Sequence, residues 1–349
     1  MSRSKGSTTG IEWLGQKGPG YPIVLSCRAR LARNIEGLPF PSIAGEEDLE
    51  RARGIILEAV SRRVAEDRDW DVRFAEELTR DELSLLVEEY IVSASFGERP
   101  SGRAVALNWP GACSVTVNEE DSVKIHSVMP GAQFNKVWQK TDKIDSRIEG
   151  EVAYCFDERL GYLTSCPCNV GTGLRVSAMM HLPALVTTGE IARTIAALDH
   201  AGMYVRGLYG EGSGVAGNLF QISNRRTLGL TEEEIVSHVE SMVTRVVDNE
   251  RTARKMMLRD SPVESSDRVY RALGVAERAR RMFLYEALEL LSMIKLGVEM
   301  DLLAVEEFSI LEAGVAVSPY HVRRFLDGDI EEEDVNRERA AQLRRVLGV

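Results

Sequence analysis

Val115–His126 reads VTVNEEDSVKIH, and this stretch decides how the chain folds. Val115, Val117, Val123 and Ile125 alternate with polar residues as one half-buried face of β-structure does. Thr116, Asn118, Glu120, Ser122, Lys124 and His126 then share the opposite face. The same alternation puts Glu119 and Asp121 on the apolar side. Either the backbone turns there, giving a solvated hairpin tip, or the acids have partners.

Composition sets the frame for that choice. The chain has 349 residues, 44% apolar and 28% charged, as an ordinary globular protein does. No apolar run approaches the roughly 18–20 residues that span a bilayer. The first residues, MSRSKGSTTG, lack the apolar core of a signal peptide, so a cytoplasmic location is expected. The net charge of −11 argues against nucleic acid as a direct ligand and favours cationic partners. Five cysteines do not make a disulfide framework at this length. Cys166-x-Cys168 lacks a second ligand pair at zinc spacing, so no direct metal site is expected.

Working outward, residues 1–20 are rich in Gly, Ser and Thr and are expected to form a flexible tail. Residues 46–92 carry helical periodicity at Ile55, Ile56, Val60 and Val64, then at Leu83, Leu86 and Tyr90. Short β-like runs alternate with glycine turns from about 103 to 230. Thr231-x-x-Glu234 is a capping box opening a helix towards Arg251. Beyond the Asp260-Ser-Pro break the chain reads as helical, with Leu284, Leu288, Leu291 and Ile294 on one face of Ala276–Leu296. A mixed α+β domain over 21–253 and a helical domain over 254–349 are expected.

Three further segments carry chemistry. In Ser26-Cys27-Arg28-Ala29-Arg30 the two arginines point the same way from a strand, as a pair of phosphate-binding forks would. Cys166-Pro-Cys168-Asn169-Val-Gly171-Thr172-Gly173-Leu-Arg175 combines a thiol, a cation and an unusual glycine backbone. Gly207–Gly217 contains G-x-G-x-x-G, but a short strand-like run follows it instead of a helix. A dinucleotide fold is therefore rejected in favour of a glycine loop. No P-loop or protein-kinase catalytic-loop pattern occurs. Carboxylates beside phosphate-binding arginines make best sense if the nucleophile is itself cationic, because a guanidinium must be oriented and deprotonated before it attacks.

Together Asn118-Glu119-Glu120-Asp121, Cys166-Pro-x-Asn169-x-Gly171-Thr172-Gly173-x-Arg175 and Ser26-x-Arg28-x-Arg30 resemble the phosphagen kinases, the ATP:guanido phosphotransferases. Met179–Leu185, Arg206–Gly212 and Gln221–Asn224 look most like the bacterial protein-arginine kinase (McsB-type) branch. The resemblance implies an α+β, glutamine-synthetase-like antiparallel sheet flanked by helices, with a C-terminal all-α domain. It implies ATP and Mg²⁺, Glu120 as base, Glu119 acting near Mg²⁺ through water, and Cys166 as a thiolate beside the guanidinium. ATP would be held by Ser26, Cys27, Arg28, Ala29, Arg30, Tyr90, Lys124 and Arg175 with Val176, Ser177, Ala178 and Met179. Arg206, Gly207, Leu208, Tyr209, Gly210 and Glu211 would form a lid, with Glu211 also serving as a catalytic carboxylate.

The match is not uniform. Lys124 stands where the family has Arg, Tyr90 where it has His, and Gly214 where it has a guanidinium-binding Glu. Of a C-terminal phosphoarginine-docking motif the chain keeps only Arg339 and Ala340, with Arg337 nearby. Only a short tail precedes Ser26, so an open pocket that takes arginine displayed on a protein is expected. The implied partners are arginine-containing protein substrates, among them a stress-gene repressor, then an activator protein and a Clp-type protease, within protein quality control. The apolar face of Ala276–Leu296 is a candidate for pairing two chains. Three functions stay open from sequence: a protein-arginine kinase, a kinase for free arginine or another small guanidine, and a weakened homologue acting as an adaptor.

Overall fold

A computed structural model describes residues 11–64, 70–108, 112–207, 216–328 and 330–349. Ten strands occur among them: β1 (Val24–Arg33), β2 (Trp70–Phe74), β3 (Ala104–Asn108), β4 (Cys113–Val117), β5 (Val123–Pro130), β6 (Phe156–Asp157), β7 (Gly161–Tyr162), β8 (Leu174–His181), β9 (Met203–Gly207) and β10 (Leu219–Asn224). Eight form one sheet in the order β2-β3-β4-β5-β1-β8-β10-β9, while β6 and β7 pair apart. The β2/β3, β3/β4, β4/β5 and β1/β5 pairs are antiparallel. This is the α+β architecture expected.

Among the described residues twelve helices accompany the strands: α1 (Glu12–Gly15), α2 (Glu46–Ala59), α3 (Arg80–Glu88), α4 (Phe134–Glu149), α5 (Pro183–Thr187), α6 (Ile191–His200), α7 (Glu232–Asp260), α8 (Pro262–Arg278), α9 (Leu284–Glu299), α10 (Ile310–Ala316), α11 (Pro319–Arg323) and α12 (Glu332–Leu347). By compactness the chain divides into two units interleaved in sequence. One comprises Ser26–Ala178 and Ser223–Ser241; the other takes in the chain up to Leu25, Met179–Ile222 and Met242–Val349. The boundary expected at 253 lies inside α7, which runs unbroken to Asp260.

In the first unit, Val115, Val117, Val123 and Ile125 are fully buried, as their alternation requires. α4 packs on β5 and α2 on β4. Arg33, 2% exposed, leaves β1 on the α4 side, where its guanidinium meets Asp145 at 2.7 Å and donates to the Thr172 carbonyl at 2.8 Å. Its charge also stacks 3.6 Å from the centre of the Tyr162 ring. Gly173 lies so close to β1 that a Cβ there would sit 2.6 Å from the Ala32 carbonyl, and its φ is +65°. Arg33 is thus a buried tie between β1, α4 and the chain leading into β8.

In the second unit, α9 packs against α8, α10 and α12. Leu288, Leu291 and Ile294 are buried there, so the apolar face considered for pairing two chains is already covered within this chain. Ala276–Leu296 is not one helix, because the chain leaves helical geometry between Arg278 and Leu284. Residues 12–15, expected within a flexible tail, form α1, which packs on α10, and Ile11, Trp13 and Leu14 are buried. Lys295 is fully buried, with Glu299 at 3.4 Å and Glu307 at 3.6 Å.

Other differences are local. Residues 46–92 are not helical throughout: Trp70-Asp-Val-Arg-Phe74 is the edge strand β2, half-exposed and lying between helical windows. The Thr231–Glu234 capping box forms, with Glu234 N donating to Thr231 Oγ1 at 3.2 Å and Thr231 N to the Glu234 carboxylate at 2.8 Å. No described helix is long and apolar enough to cross a membrane. Arg33→Leu should lower stability by about 3–5 kcal/mol, because it leaves Asp145 buried without its cation. Asp145→Asn, which keeps an acceptor for the guanidinium, should cost less. Urea unfolding of the two variants measures the difference, and a cost below about 1 kcal/mol for Arg33→Leu would remove the tie from this account.

Candidate active site

Strand pairing places the cations. Arg30 stands opposite His126 and Ala32 opposite Lys124 on the neighbouring strand, and His126 is in turn opposite Ser114 on β4. With side chains alternating along each strand, Arg28, Arg30, Lys124 and His126 fall on one side of the sheet. Cys27 and Arg33 take the other side, and the Cys27 sulfur accepts from the Gln133 amide at 3.3 Å at the start of α4. Arg28 is pulled down to about 10 by burial and, next, by Arg30, with Tyr90 acting in the opposite sense. His126 falls well below its ordinary value through burial and then through Arg28, Lys124 and Arg30. Its Nδ1 lies 3.4 Å from the Ser114 hydroxyl. Like charges held this close call for an anion, and a polyphosphate supplies one. The sequence assigns His126 no role, although its spacing of two from Lys124 puts it on this face.

The hairpin tip between β4 and β5 divides its three acids. Asn118 turns the chain with φ of 55°, and its amide donates to the Leu49 carbonyl at 2.7 Å and the Gly102 carbonyl at 2.8 Å. Glu119, its side chain 6% exposed, pairs with Lys124 and accepts from the Ser93 hydroxyl. Asp121 is buried and accepts from the Asn34 amide at 2.8 Å and from the Ser165 backbone at 2.6 Å. Glu120 is exposed. Both expectations hold in part: the backbone turns, and the two acids on the apolar side have partners.

The Glu119–Lys124 pair lies in a charged setting. Burial alone would raise Glu119, but the Lys124 charge and hydrogen bond, the Ser93 hydroxyl and Arg30 carry it below its ordinary value. Lys124 also falls, since burial and the repulsion of Arg30 and Arg28 outweigh the attraction of Glu119. The pair is ionic because the carboxylate is stabilised; the ammonium is crowded by other cations. Lys124, expected on the nucleotide, pairs with Glu119.

The Cys166 segment is fixed at both ends. Ser165 N is held by Asp121, and Thr172 O by Arg33. Between them Thr227 Oγ1 donates to the Cys168 carbonyl at 3.2 Å and the Val170 carbonyl at 2.8 Å. Arg175, expected beside Cys166, is buried and donates to Asn169 Oδ1 at 3.4 Å and to the Asn224 carbonyl at 3.2 Å. Asn224 also accepts from Val176 N at 2.8 Å and donates to the Leu174 carbonyl at 3.0 Å, which locks the start of β8. Cys166 and Cys168 are joined as a disulfide, with Cα atoms 5.2 Å apart. The thiolate expected at Cys166 requires the reduced pair.

Two family profiles cover most of the chain. That for the ATP:guanido phosphotransferase C-terminal catalytic domain matches residues 54–253, and that for the protein-arginine kinase McsB C-terminal domain matches 262–349. The chain belongs to the ATP:guanido phosphotransferase family. The protein-arginine kinase of Halalkalibacterium halodurans is 40% identical over 341 residues, 96% of this chain and 94% of that protein. That of Geobacillus stearothermophilus is 38% identical over 99% of this chain and 96% of that protein. Among solved structures, lombricine kinase superposes with a TM-score of 0.59 at 22% identity, over 72% of each chain. The duplicated taurocyamine kinase from Schistosoma mansoni gives 0.59 at 22%, over 82% of this chain and 40% of that one. These two likenesses concern the fold.

For this guanido phosphotransferase, the structure brings Ser26, Cys27, Arg28, Ala29, Arg30, Tyr90, Glu119, Glu120, Lys124, Cys166, Arg175, Val176, Ser177 and Ala178 into one compact unit. Met179, Arg206 and Gly207 belong to the other unit, where Arg206 lies over the Tyr204 ring at 5.3 Å. Leu208, Tyr209, Gly210, Glu211 and Gly214 lie outside the described residues. Arg337 is exposed beside Asp334, whereas Arg339 is buried and donates to the Val317 carbonyl at 2.8 Å and the Met282 carbonyl at 3.0 Å.

Glu119 allows a test of the site's electrostatics. Its folded value lies below the ordinary 4.5, so the ion pair stabilises fully above that pH and is lost as the pH falls through the folded value. Glu119→Gln should therefore be less stable than the parent near about pH 7, with the gap narrower at an acidic pH below 4.5. Urea midpoints at the two pH values measure it. A gap that is unchanged on acidification would mean that the Glu119 charge stabilises nothing.

Proposed function

We propose that the chain is a protein-arginine kinase, transferring the γ-phosphoryl of ATP to arginine side chains of polypeptides. The carrying observation is the hairpin tip, which presents Glu120 to solvent while Glu119 and Asp121 are held on either side of it. Likeness to protein-arginine kinases over nearly the whole chain supports a polypeptide substrate over a free guanidine.

Arg28 and Arg30 bind phosphate oxygens, and their mutual repulsion is relieved when the nucleotide arrives. Glu120 accepts two N–H groups of the substrate guanidinium, orients one nitrogen towards the γ-phosphorus and takes its proton. The N–P bond forms as the bond to the β–γ bridging oxygen breaks, and ADP leaves with that electron pair. Mg²⁺ bound with ATP would neutralise charge building on the phosphate oxygens. Glu119 fits that ion's outer shell, since it is anionic and fixed by Lys124 and Ser93, and it would accept from metal-bound water. Reduced Cys166 would set a negative sulfur beside the guanidinium. The division into a catalytic domain over 21–253 and a helical C-terminal domain over 254–349 belongs to the same reading. So do a cytoplasmic role in protein quality control, and an activator, a repressor and a Clp-type protease as partners; these rest on family resemblance.

Incubation with ATP, Mg²⁺ and an unfolded arginine-rich protein, followed by mass spectrometry without acid, should detect phosphoarginine. Transfer to free arginine should be much slower, and equal rates would favour the small-guanidine kinase. Glu120→Ala should lower kcat by about 10²–10⁴-fold with nucleotide affinity kept. Arg28→Ala should chiefly weaken ATP binding. No turnover by the reduced parent on either substrate would favour the adaptor reading.

A further inference from the structure

We infer that Cys166 and Cys168 form a reversible disulfide site inside the catalytic segment, made by a low-molecular-weight disulfide and switching transfer off. The effect on transfer rests on the proposed role of Cys166; formation of the ring does not.

The geometry is built for it. The Cα atoms are 5.2 Å apart, within the roughly 4.4–6.8 Å that a disulfide spans. Both cysteines are held through their carbonyls, Cys166 by Thr164 Oγ1 at 2.7 Å and Cys168 by Thr227 Oγ1 at 3.2 Å. The Cys168 amide donates to the Cys166 sulfur at 3.4 Å. With one residue between them and the backbone fixed on both sides, the sulfurs remain within reach when reduced, and closure requires little further ordering. Cys168 is exposed and Cys166 half-buried, so a small oxidant reaches them.

The other cysteines are poor competitors. Cys27 is buried, and its thiol is pushed up to about 12, mainly by burial. Cys113 is buried, its sulfur 3.3 Å from the Ser127 hydroxyl. Cys155 is raised by burial and donates to the Ile35 carbonyl at 3.1 Å. A thiol that resists ionisation attacks disulfides slowly.

The chemistry closes without loss. One of the two thiolates attacks a small disulfide RSSR, forms a mixed disulfide and releases RS⁻. The second thiolate then attacks the protein sulfur of that bond and releases the other RS⁻. Net, two protein thiols and RSSR give one protein disulfide and two RSH. The Cys166 sulfur then carries no charge to set beside a guanidinium.

The test uses the full chain, with oxidised glutathione as the small disulfide. Mass spectrometry follows the peptide carrying both cysteines, and phosphoarginine formation is measured on the same samples. The parent peptide should become lighter by two hydrogens as most of the activity disappears, and dithiothreitol should restore both. Cys168→Ser should keep its basal activity when reduced, never give the ring, and carry glutathione on Cys166 if it reacts. A parent peptide that stays as free thiols, or that collects only glutathione, overturns the proposal. A ring that forms while transfer continues unchanged overturns the switch. A reduced parent that phosphorylates no arginine defeats the kinase reading, and the peptide masses still decide the ring.

Discussion

One buried carboxylate holds the chemical parts of this protein in a common frame. Asp121, 2% exposed, accepts from the Asn34 side chain just past β1 and from the Ser165 backbone just before Cys166. The Asn34 side-chain Oδ1 in turn accepts from the Ser122 amide at 2.8 Å and its hydroxyl at 3.1 Å. Three segments far apart in sequence thereby meet around one side chain. Without that carboxylate the Asn34 amide and the Ser165 N–H would lose their shared acceptor, a penalty of about 1–3 kcal/mol for each group left unsatisfied. Arg33 does the same work one residue away, tying β1 to α4 and to Thr172.

That frame lets the site hold charges that repel. Arg28, Arg30 and Lys124 share one side of the sheet with His126, which burial and these cations keep neutral. Glu119 is the counter-charge beside them, and it is already committed to Lys124. The face is therefore short of negative charge in the sense that a polyphosphate corrects. The opposite condition stands a few residues away, where Glu120 is exposed on the tip. Under the proposed function, the hairpin turn would separate the phosphate-binding cations from the carboxylate that meets a guanidinium.

Several features were legible from residue order because their causes are local. The alternation around Val115–Val123 follows from side chains that point to opposite faces in turn, and the Thr231 capping box and the Asp260-Ser261-Pro262 break act within one helical turn. β2 was not legible because an edge strand buries little and shows a weak pattern. The break between α8 and α9 was masked by apolar residues on both sides, and the helix at residues 12–15 by the Gly and Ser around it.

By itself the sequence determined the family and the two-sided pattern of the strands, since spacing and residue type suffice for these. Only the tertiary structure decided how the acids and cations are shared out. Asp121 looks like one member of an acidic run, yet it is a buried strut, as is Arg33. Lys124 looks like a phosphate ligand, yet it faces Glu119. The physical reason is that a charged side chain's role depends on which partner reaches it after desolvation. Those partners, Asn34, Ser165, Asp145 and Thr172, are brought in by sheet register and loop closure, which no local spacing encodes.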